Sequence, residues 1–235
     1  TGALPTTGNM YVTNAVGTLS TPAGDQAAVG KVYDGTTGFA YTQAGGATTG
    51  TVTTAPGATV SLASYTVNSS GDFADKNAGT DKAYTVVAST DTIGTGLGGE
   101  QYYGLQFAGF ARAAGTGVAA SVVTPRAITS TGISAVDRVY DASNVVAVLT
   151  GGATLNNPVA GDAVALSGTA ASGLTSDKNV GSGKAVTVTG LALSGADAGN
   201  YTLTDASNAT VTITPLAIVA SGVTAVNRAY DGTSQ

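Results

Sequence analysis

The chain has 235 residues, room for one or two domains, with 43% hydrophobic and only 10% charged residues and a formal net charge of −5. No run of Lys or Arg could neutralise phosphates, which argues against nucleic-acid binding. His, Cys and Trp are absent and Glu occurs once, at Glu100, so the usual catalytic bases, thiol nucleophiles and soft metal ligands are missing.

Hydrophobicity comes from Ala and Val more than from Leu, strong helix formers are scarce, and 34 glycines accompany abundant Thr. The composition predicts an all-β protein. A cysteine-free chain is compatible with export. No apolar run approaches the ~20 residues that span a bilayer. Any targeting signal is expected outside the segment that begins at Thr1.

Along the chain, three landmarks recur. The first is a YD site, Tyr33-Asp34 within AVGKVYDGTT; the second is a DKN-x-G site, Asp75-Lys76-Asn77 with Gly79; the third is a strand ending in Thr124-Pro125. Pro125 is followed by RAITSTGISAVDRVYDAS, and Pro215 by LAIVASGVTAVNRAYDGT, without a gap. Tyr140-Asp141 thus returns as Tyr230-Asp231, 90 residues on. Between them stand Asp177-Lys178-Asn179 with Gly181, then Thr214-Pro215. The expected organisation is a longer, divergent unit at 1–125, a second at 126–215, and the start of a third at 216–235. Repetition of a domain-sized unit points to a tandem array, which spans distance or presents surfaces rather than housing one catalytic centre.

Strands are most legible in the second unit. Ala185-Val186-Thr187-Val188-Thr189 and Ala209-Thr210-Val211-Thr212-Ile213-Thr214 alternate apolar and hydroxyl side chains, which puts Val and Ile on a buried face and Thr on a wet one. Further strands are predicted at 133–138, 145–149, 164–167 and 201–204, separated by Gly, Asn, Asp and Ser turns. Many short strands indicate small immunoglobulin-like β-sandwich repeats in tandem, with a β-grasp-like variant as the alternative. Pro125 and Pro215 each end a last strand and begin a stiff link. Asp197-Ala198-Gly199-Asn200-Tyr201 has the D-x-G-x-Y spacing of a tyrosine corner; the first unit offers Gly99-Glu100-Gln101-Tyr102-Tyr103 instead.

The run YDG/YDA, SGT, DKNVGSGKAVTVTGL, LSGADAGNYTL and TITP resembles the YDG-type repeat of large bacterial surface proteins, including filamentous-haemagglutinin-like exoproteins exported by two-partner secretion. The second unit carries the pattern in order; the first keeps VYDGTT, FADKNAGTDKAYTV and VVTP. The resemblance implies secretion, a stalk of tandem β domains, and adhesion or a place in a biofilm matrix. It implies no catalytic residues.

Several motifs invite sharper chemistry. Gly94-Thr95-Gly96-Leu97-Gly98-Gly99 satisfies G-x-G-x-x-G, but no helix or acid follows as a dinucleotide site requires, so a flexible hairpin loop is the better reading. The YD sites could stack on sugars; repetition favours a structural role, with Asp bonding turn backbone and Tyr packing its ring, and Gly35 or Gly232 supplying a positive φ. Asp75-Lys76-Asn77 and Asp177-Lys178-Asn179 could support a Lys–Asn crosslink or a calcium site, yet the acids lack the alternate spacing of a calcium loop. An Asx turn is the expectation there. Thirteen Asp residues leave weak, extracellular-grade calcium binding open. Asn68-Ser69-Ser70, Asn200-Tyr201-Thr202 and Asn208-Ala209-Thr210 fit the glycosylation sequon, which chance explains in so Thr- and Ser-rich a chain.

The expectation is a non-enzymatic, extracellular or cell-surface stalk segment of a large bacterial adhesin or matrix protein, free of cofactors. Its partners would be neighbouring repeats, glycans or host and matrix surfaces. A self-assembling filament or surface-layer subunit is the alternative. A carbohydrate-binding module or carbohydrate-active enzyme is weaker, because a small β domain with one Glu offers few acids to pair across a cleft.

Overall fold

A computed structural model describes residues 17–21, 26, 28–46, 51–54, 59–89, 92–96, 101–114, 121–167, 171–205 and 209–233. From the N-terminus its strands are β1 (Gly17–Ser20), β2 (Gly30–Val32), β3 (Gly38–Gly46), β4 (Thr51–Thr54), β5 (Thr59–Phe73), β6 (Gly79–Thr80), β7 (Tyr84–Val86) and β8 (Thr92–Gly96). There follow β9 (Gln101–Phe107), β10 (Phe110–Arg112), β11 (Val122–Thr124), β12 (Arg126–Thr131), β13 (Ser134–Ala135), β14 (Arg138–Val139), β15 (Val145–Val146) and β16 (Val148–Leu149). The last are β17 (Thr154–Asn156), β18 (Ala165–Ser167), β19 (Ser172–Thr175), β20 (Gly181–Thr189), β21 (Ala192–Ser194), β22 (Tyr201–Asp205) and β23 (Thr210–Thr214). The fold is essentially all-β; among the described residues a 3₁₀ turn at Ala198–Asn200 interrupts the strands.

The chain folds as two compact units that do not follow the period of the sequence repeat. Unit 1 combines Thr1–Thr129 with Leu155–Ser167 and Ala192–Asp205; unit 2 combines Ser130–Thr154, Gly168–Leu191 and Ala206–Gln235. Three stretches of the second repeat, 126–129, 155–167 and 192–205, therefore belong to the body of the first.

In unit 1, β5 pairs with β4, β4 with β1, β1 runs parallel to β9, β9 pairs with β8, and β8 returns to β5. The ladder closes on itself, which leaves this group no free edge. β1, β5 and β9 each contribute a fully buried leucine: Leu19, Leu62 and Leu105. Gly94 admits Leu62, since a Cβ there would lie 2.7 Å from the Leu62 Cδ1. The far end of β5 pairs with β3 and β7. Phe39, Tyr84 and Phe110 meet neighbouring rings edge-on over this region, a geometry favoured by the ring quadrupole. A small sheet, β2-β11-β6, ties the YD strand to the Thr-Pro strand. From the second repeat come β17-β12-β22 and β18-β21. Their Ile128 and Tyr201 share one apolar cluster with Tyr33 and Val123, and Leu155, Val159, Val164 and Leu193 pack against it.

Unit 2 is built on the sheet β14-β23-β20-β19-β15, with β13 and β16 paired separately. Val186, Val188, Val211 and Ile213 are buried, while Thr187, Thr189, Thr210 and Thr214 are exposed, the alternation that a half-buried strand requires. Two predicted strands are broken. The stretch 133–138 divides around Val136-Asp137, and 145–149 divides at Ala147, where the Val136 N–H bonds the Ala147 carbonyl at 2.9 Å. The break lets β14 and β15 serve the five-stranded sheet while β13 and β16 pair with each other.

The two repeats share a half-module position by position. Phe39 faces Gly71, Gly71 faces Val86 and Phe73 faces Tyr84; at the same sequence positions Val146 faces Gly173, Gly173 faces Val188 and Thr175 faces Val186. Lys31 runs beside Val123 as Arg138 does beside Ile213. The Tyr33 N–H bonds the Thr124 carbonyl at 2.9 Å and the Tyr140 N–H bonds the Thr214 carbonyl at 2.8 Å. Beyond Pro215, residues 216–233 form no strand and are exposed.

Candidate functional site

Each YD site is a small, self-contained turn. The Asp34 carboxylate accepts the Thr36 N–H at 2.9 Å, Asp141 the Ser143 N–H at 2.9 Å, and Asp231 the Thr233 N–H at 3.0 Å. Three residues before each Asp stands its cation: Lys31 at 2.7 Å from Asp34, Arg138 against Asp141, and Arg228 at 2.8 Å from Asp231. This is the Asx geometry that a short carboxylate makes with its own chain. Burial pushes the Asp34 carboxyl up, but Lys31 and the Thr36 bonds outweigh it and bring it to about 2. Asp141 and Asp231 are held low first by the backbone N–H of Ser143 and Thr233.

The residue after each Asp adopts a left-handed backbone: Gly35 at φ 83°, Ala142 at φ 66° and Gly232 at φ 78°. Only the middle copy carries a Cβ there, at a cost on the order of 1 kcal/mol.

The DKN sites are a second repeated turn. Asp75 accepts the Asn77 N–H at 2.8 Å and the Lys82 ammonium at 2.5 Å; Asp177 accepts the Asn179 N–H at 2.7 Å and the Lys184 ammonium at 2.5 Å. Lys82 and Lys184 hold the two carboxyls below their ordinary range, aided by those backbone bonds. The lysines bound to these carboxylates are the later ones, seven residues on, not those inside the motif.

Lys76, inside the first motif, goes elsewhere. Its ammonium donates to Asp162 Oδ1 at 2.7 Å and lies 3.6 Å from Asp197 Oδ1. Asp162 Oδ2 accepts the Tyr33 hydroxyl at 2.7 Å and the Tyr201 hydroxyl at 2.6 Å. The Asp162 side chain is only 2% exposed, so three donors neutralise a carboxylate almost wholly withdrawn from water. The Tyr201 hydroxyl accepts the Val159 N–H at 2.9 Å, 42 residues upstream. Asp197 takes the Ala163 N–H at 2.8 Å. Asn200, buried, accepts the Ala78 N–H at 2.8 Å and donates to Asn77 Oδ1 at 3.2 Å. The Tyr33 and Tyr201 rings meet edge-on at 5.4 Å, and Lys76 lies 5.8 Å from the Tyr33 ring centre.

Local sequence explains the shape. Gly161 at φ 89° turns the Pro158–Asp162 loop, and Val159 seats on Gly35, where a Cβ would meet its Cγ1 at 2.5 Å. The 3₁₀ turn at Ala198–Asn200 then presents Asn200 and Tyr201 from the start of β22.

Electrostatically the cluster is committed. Burial pushes the Asp162 carboxyl up, but its bonds from Lys76, Tyr201 and Tyr33 prevail and lower it to about 2. Burial and then Asp162 push the Tyr201 phenol to about 12, and the same two causes raise Tyr33. Asp162 and Tyr33 keep Lys76 charged well above lysine's usual range. These shifts carry the carboxyl and the phenols away from neutrality, where a general acid or base works best.

Of the residues singled out in the sequence, Tyr33, Asn77, Asp197 and Tyr201 meet in this cluster. Asp34 and Asp75 form turns beside it. Tyr140, Asp141, Asp177 and Asn179 hold equivalent positions in unit 2, and Tyr230 and Asp231 in the exposed stretch. Asp162 was not singled out, and Lys76 and Asn200 were named only as members of the DKN, D-x-G-x-Y and sequon motifs, without this role. The first repeat has Ala55-Pro56-Gly57-Ala58 where the second has Asn157 to Asp162, and it also lacks D-A-G-N-Y. The two features missing together from one copy are the two that meet at Asp162.

Elsewhere, Gly94 to Gly96 of the G-x-G-x-x-G stretch lie in β8, which pairs antiparallel with β9; Leu97 to Glu100 fall outside the described residues. A shallow groove of about 500 Å³ over β3 and β5 is lined by Tyr41, Thr42, Asn68, Ser69 and Ser89 among others. Among the described residues no three His, Cys, Asp or Glu side chains gather where a metal could bind, and no helix is long and apolar enough to cross a membrane.

A family model described as the YDG domain matches residues 124–210. No curated protein and no solved structure matches the chain.

Proposed function

We propose that this chain is a structural and adhesive stalk segment of a large secreted or surface-anchored bacterial protein. It works as a spacer outside the cell, without catalysis or a bound cofactor. The observation that carries this reading is the half-module repeated register for register, combined with a seam in unit 1 where the second repeat's strands share the first repeat's apolar cluster. Repeats that share core residues transmit load through packed side chains rather than through a bare linker.

We read each repeat as a small sandwich-like β module. Four parallel pairings, β1 with β9, β2 with β11, β12 with β22 and β14 with β23, favour the β-grasp-like variant over a wholly antiparallel immunoglobulin-like sandwich. Thr-rich wet faces would offer glycans or matrix surfaces many weak hydrogen bonds. Electron micrographs of chains with increasing numbers of repeats test the stalk: isolated rods lengthening by a constant increment are expected, and compact particles would overturn it. A glycan array showing nothing above background would remove the glycan partner and leave the spacer.

One observation favours a self-assembling filament as a second reading. Ile218 and Val219 lie exposed in an uncharged, unpaired stretch, the kind of edge that another chain can join. Ordered fibres in the same micrographs would select it.

A further inference from the structure

Unit 2 carries an exposed copy of the surface that Asp162, Asn200 and Tyr201 cover in unit 1, and we infer that it receives the corresponding corner of a following repeat of the same type. The inference deepens the stalk reading and rests on it, because it states how successive repeats are joined.

The equivalence is fixed by register. Tyr140, Lys178 and Asn179 occupy the places of Tyr33, Lys76 and Asn77, just beyond strands paired in the same way. Tyr33 is fully buried, whereas Tyr140 is half-buried and Lys178 and Asn179 are exposed. Among the described residues the Tyr140 hydroxyl and the Lys178 ammonium have no hydrogen-bond partner, while their counterparts converge on Asp162. Val180, at the place of Ala78, is exposed as well. The surface therefore offers a phenol, an ammonium and a backbone N–H to an occupant that brings a carboxylate, a second phenol and a carboxamide. Those are the groups that Asp162, Tyr201 and Asn200 bring to unit 1.

A second observation points to the same occupant. The strand that leaves Pro125, β12, lies between β17 and β22, and its Ile128 is 2% exposed. The stretch that leaves Pro215 aligns with it without a gap and places Ile218 where Ile128 stands, yet Ile218 is 89% exposed and forms no strand. β17 leads into the Asp162 loop and β22 begins at Tyr201. One element of a following repeat thus supplies both the carboxylate for Lys178 and the strands that would enclose residues 216–221.

The surface is also selective. Val159 fits against Gly35 because that residue lacks a Cβ. Ala142 presents a methyl at the equivalent place, so the repeat that docks on unit 2 carries a residue smaller than Val at the position of Val159.

The test appends a second copy of residues 126–215 after Pro215 and replaces Ala142→Gly, so that the appended Val159 can seat. Tyrosines are nitrated with tetranitromethane and read by peptide mass spectrometry. In the present chain Tyr140 and Tyr230 should react while Tyr33 and Tyr201 are protected. In the extended chain Tyr140 should become protected by ~10-fold or more, the signature of a surface closed by a stable contact. That protection should vanish when the appended copy's Asp162 is changed to Ala, and weaken when Ala142 is retained.

A Tyr140 that reacts at an unchanged rate while Tyr33 stays protected would overturn the inference. An appended corner that hydrogen exchange shows to be unordered counts the same way, since the surface would have failed to fold it. The two ideas fail separately. Rods that lengthen while Tyr140 stays reactive remove the latch and keep the stalk, whereas a protected Tyr140 in a compact particle does the reverse.

Discussion

Tyr33 and Tyr140 stand at the same place in the same motif, each followed by an Asx turn and each bonded through its N–H to a Thr-Pro strand. Tyr33 is nevertheless fully buried and Tyr140 is not. Tyr230, with the same turn again, is 96% exposed. Local chemistry builds the turn three times regardless of surroundings; burial comes from a different part of the chain. The aromatic ring and its hydroxyl are thus a prepared surface whose energy is realised only when a carboxylate and a second ring arrive.

Truncating the two tyrosines separates these contributions most sharply. Tyr33→Ala should destabilise unit 1 by about 4 kcal/mol, as expected for a large buried side chain that also leaves Asp162 short of a donor. Tyr140→Ala should cost unit 2 about 1 kcal/mol. Denaturant titration with amide exchange resolved to each unit reads both, and equal costs would erase the distinction.

Asp162→Ala follows, at about 3 kcal/mol in unit 1, because it strands an ammonium and two phenols around a withdrawn site. Unit 2 should be unaffected. The same carboxylate predicts an acid transition. Against the upward push of burial, bonds from Lys76, Tyr201 and Tyr33 hold its folded-state carboxyl down to about 2, below the ~3.9 of an unfolded chain, so its contribution is present above about pH 4 and lost as pH falls through 2. The loss should be about 2 kcal/mol in unit 1 and absent in Asp162→Asn. A variant that shows the same acid slope as the parent would remove Asp162 from the account.

The left-handed residues give effects of opposite signs, one of them the smallest of all. Gly35→Ala should cost about 2 kcal/mol, from the strained backbone and the collision with Val159. Ala142→Gly should stabilise unit 2 by about 0.5 kcal/mol, as relief of the same strain outweighs the added freedom of the unfolded chain. Melting curves of the two variants check the signs directly.

Much of the fold was readable beforehand. Alternation in 185–189 and 209–214 placed Val and Thr on opposite faces, because a strand's side chains alternate and only one face meets the core. Broken strands at Val136-Asp137 and Ala147 were not readable, since nothing in a run of β-formers marks where one sheet hands over to another. Asp162 escaped notice for a related reason. It belongs to no repeated motif, and a lone Asp after Gly161 is ordinary turn chemistry until Tyr33, 129 residues away, is brought to it.

Composition and period by themselves determined that this is a β protein built of copies, and that each YD and DKN site makes the turn a short carboxylate makes with its own backbone. These are local matters, settled by residues a few positions apart. Which copy buries its tyrosine, where Lys76 spends its charge, and that strands of one repeat complete the core of another were decided only in three dimensions. Apolar surface and withdrawn charge are satisfied by whatever the chain brings near, and sequence separation places no limit on that.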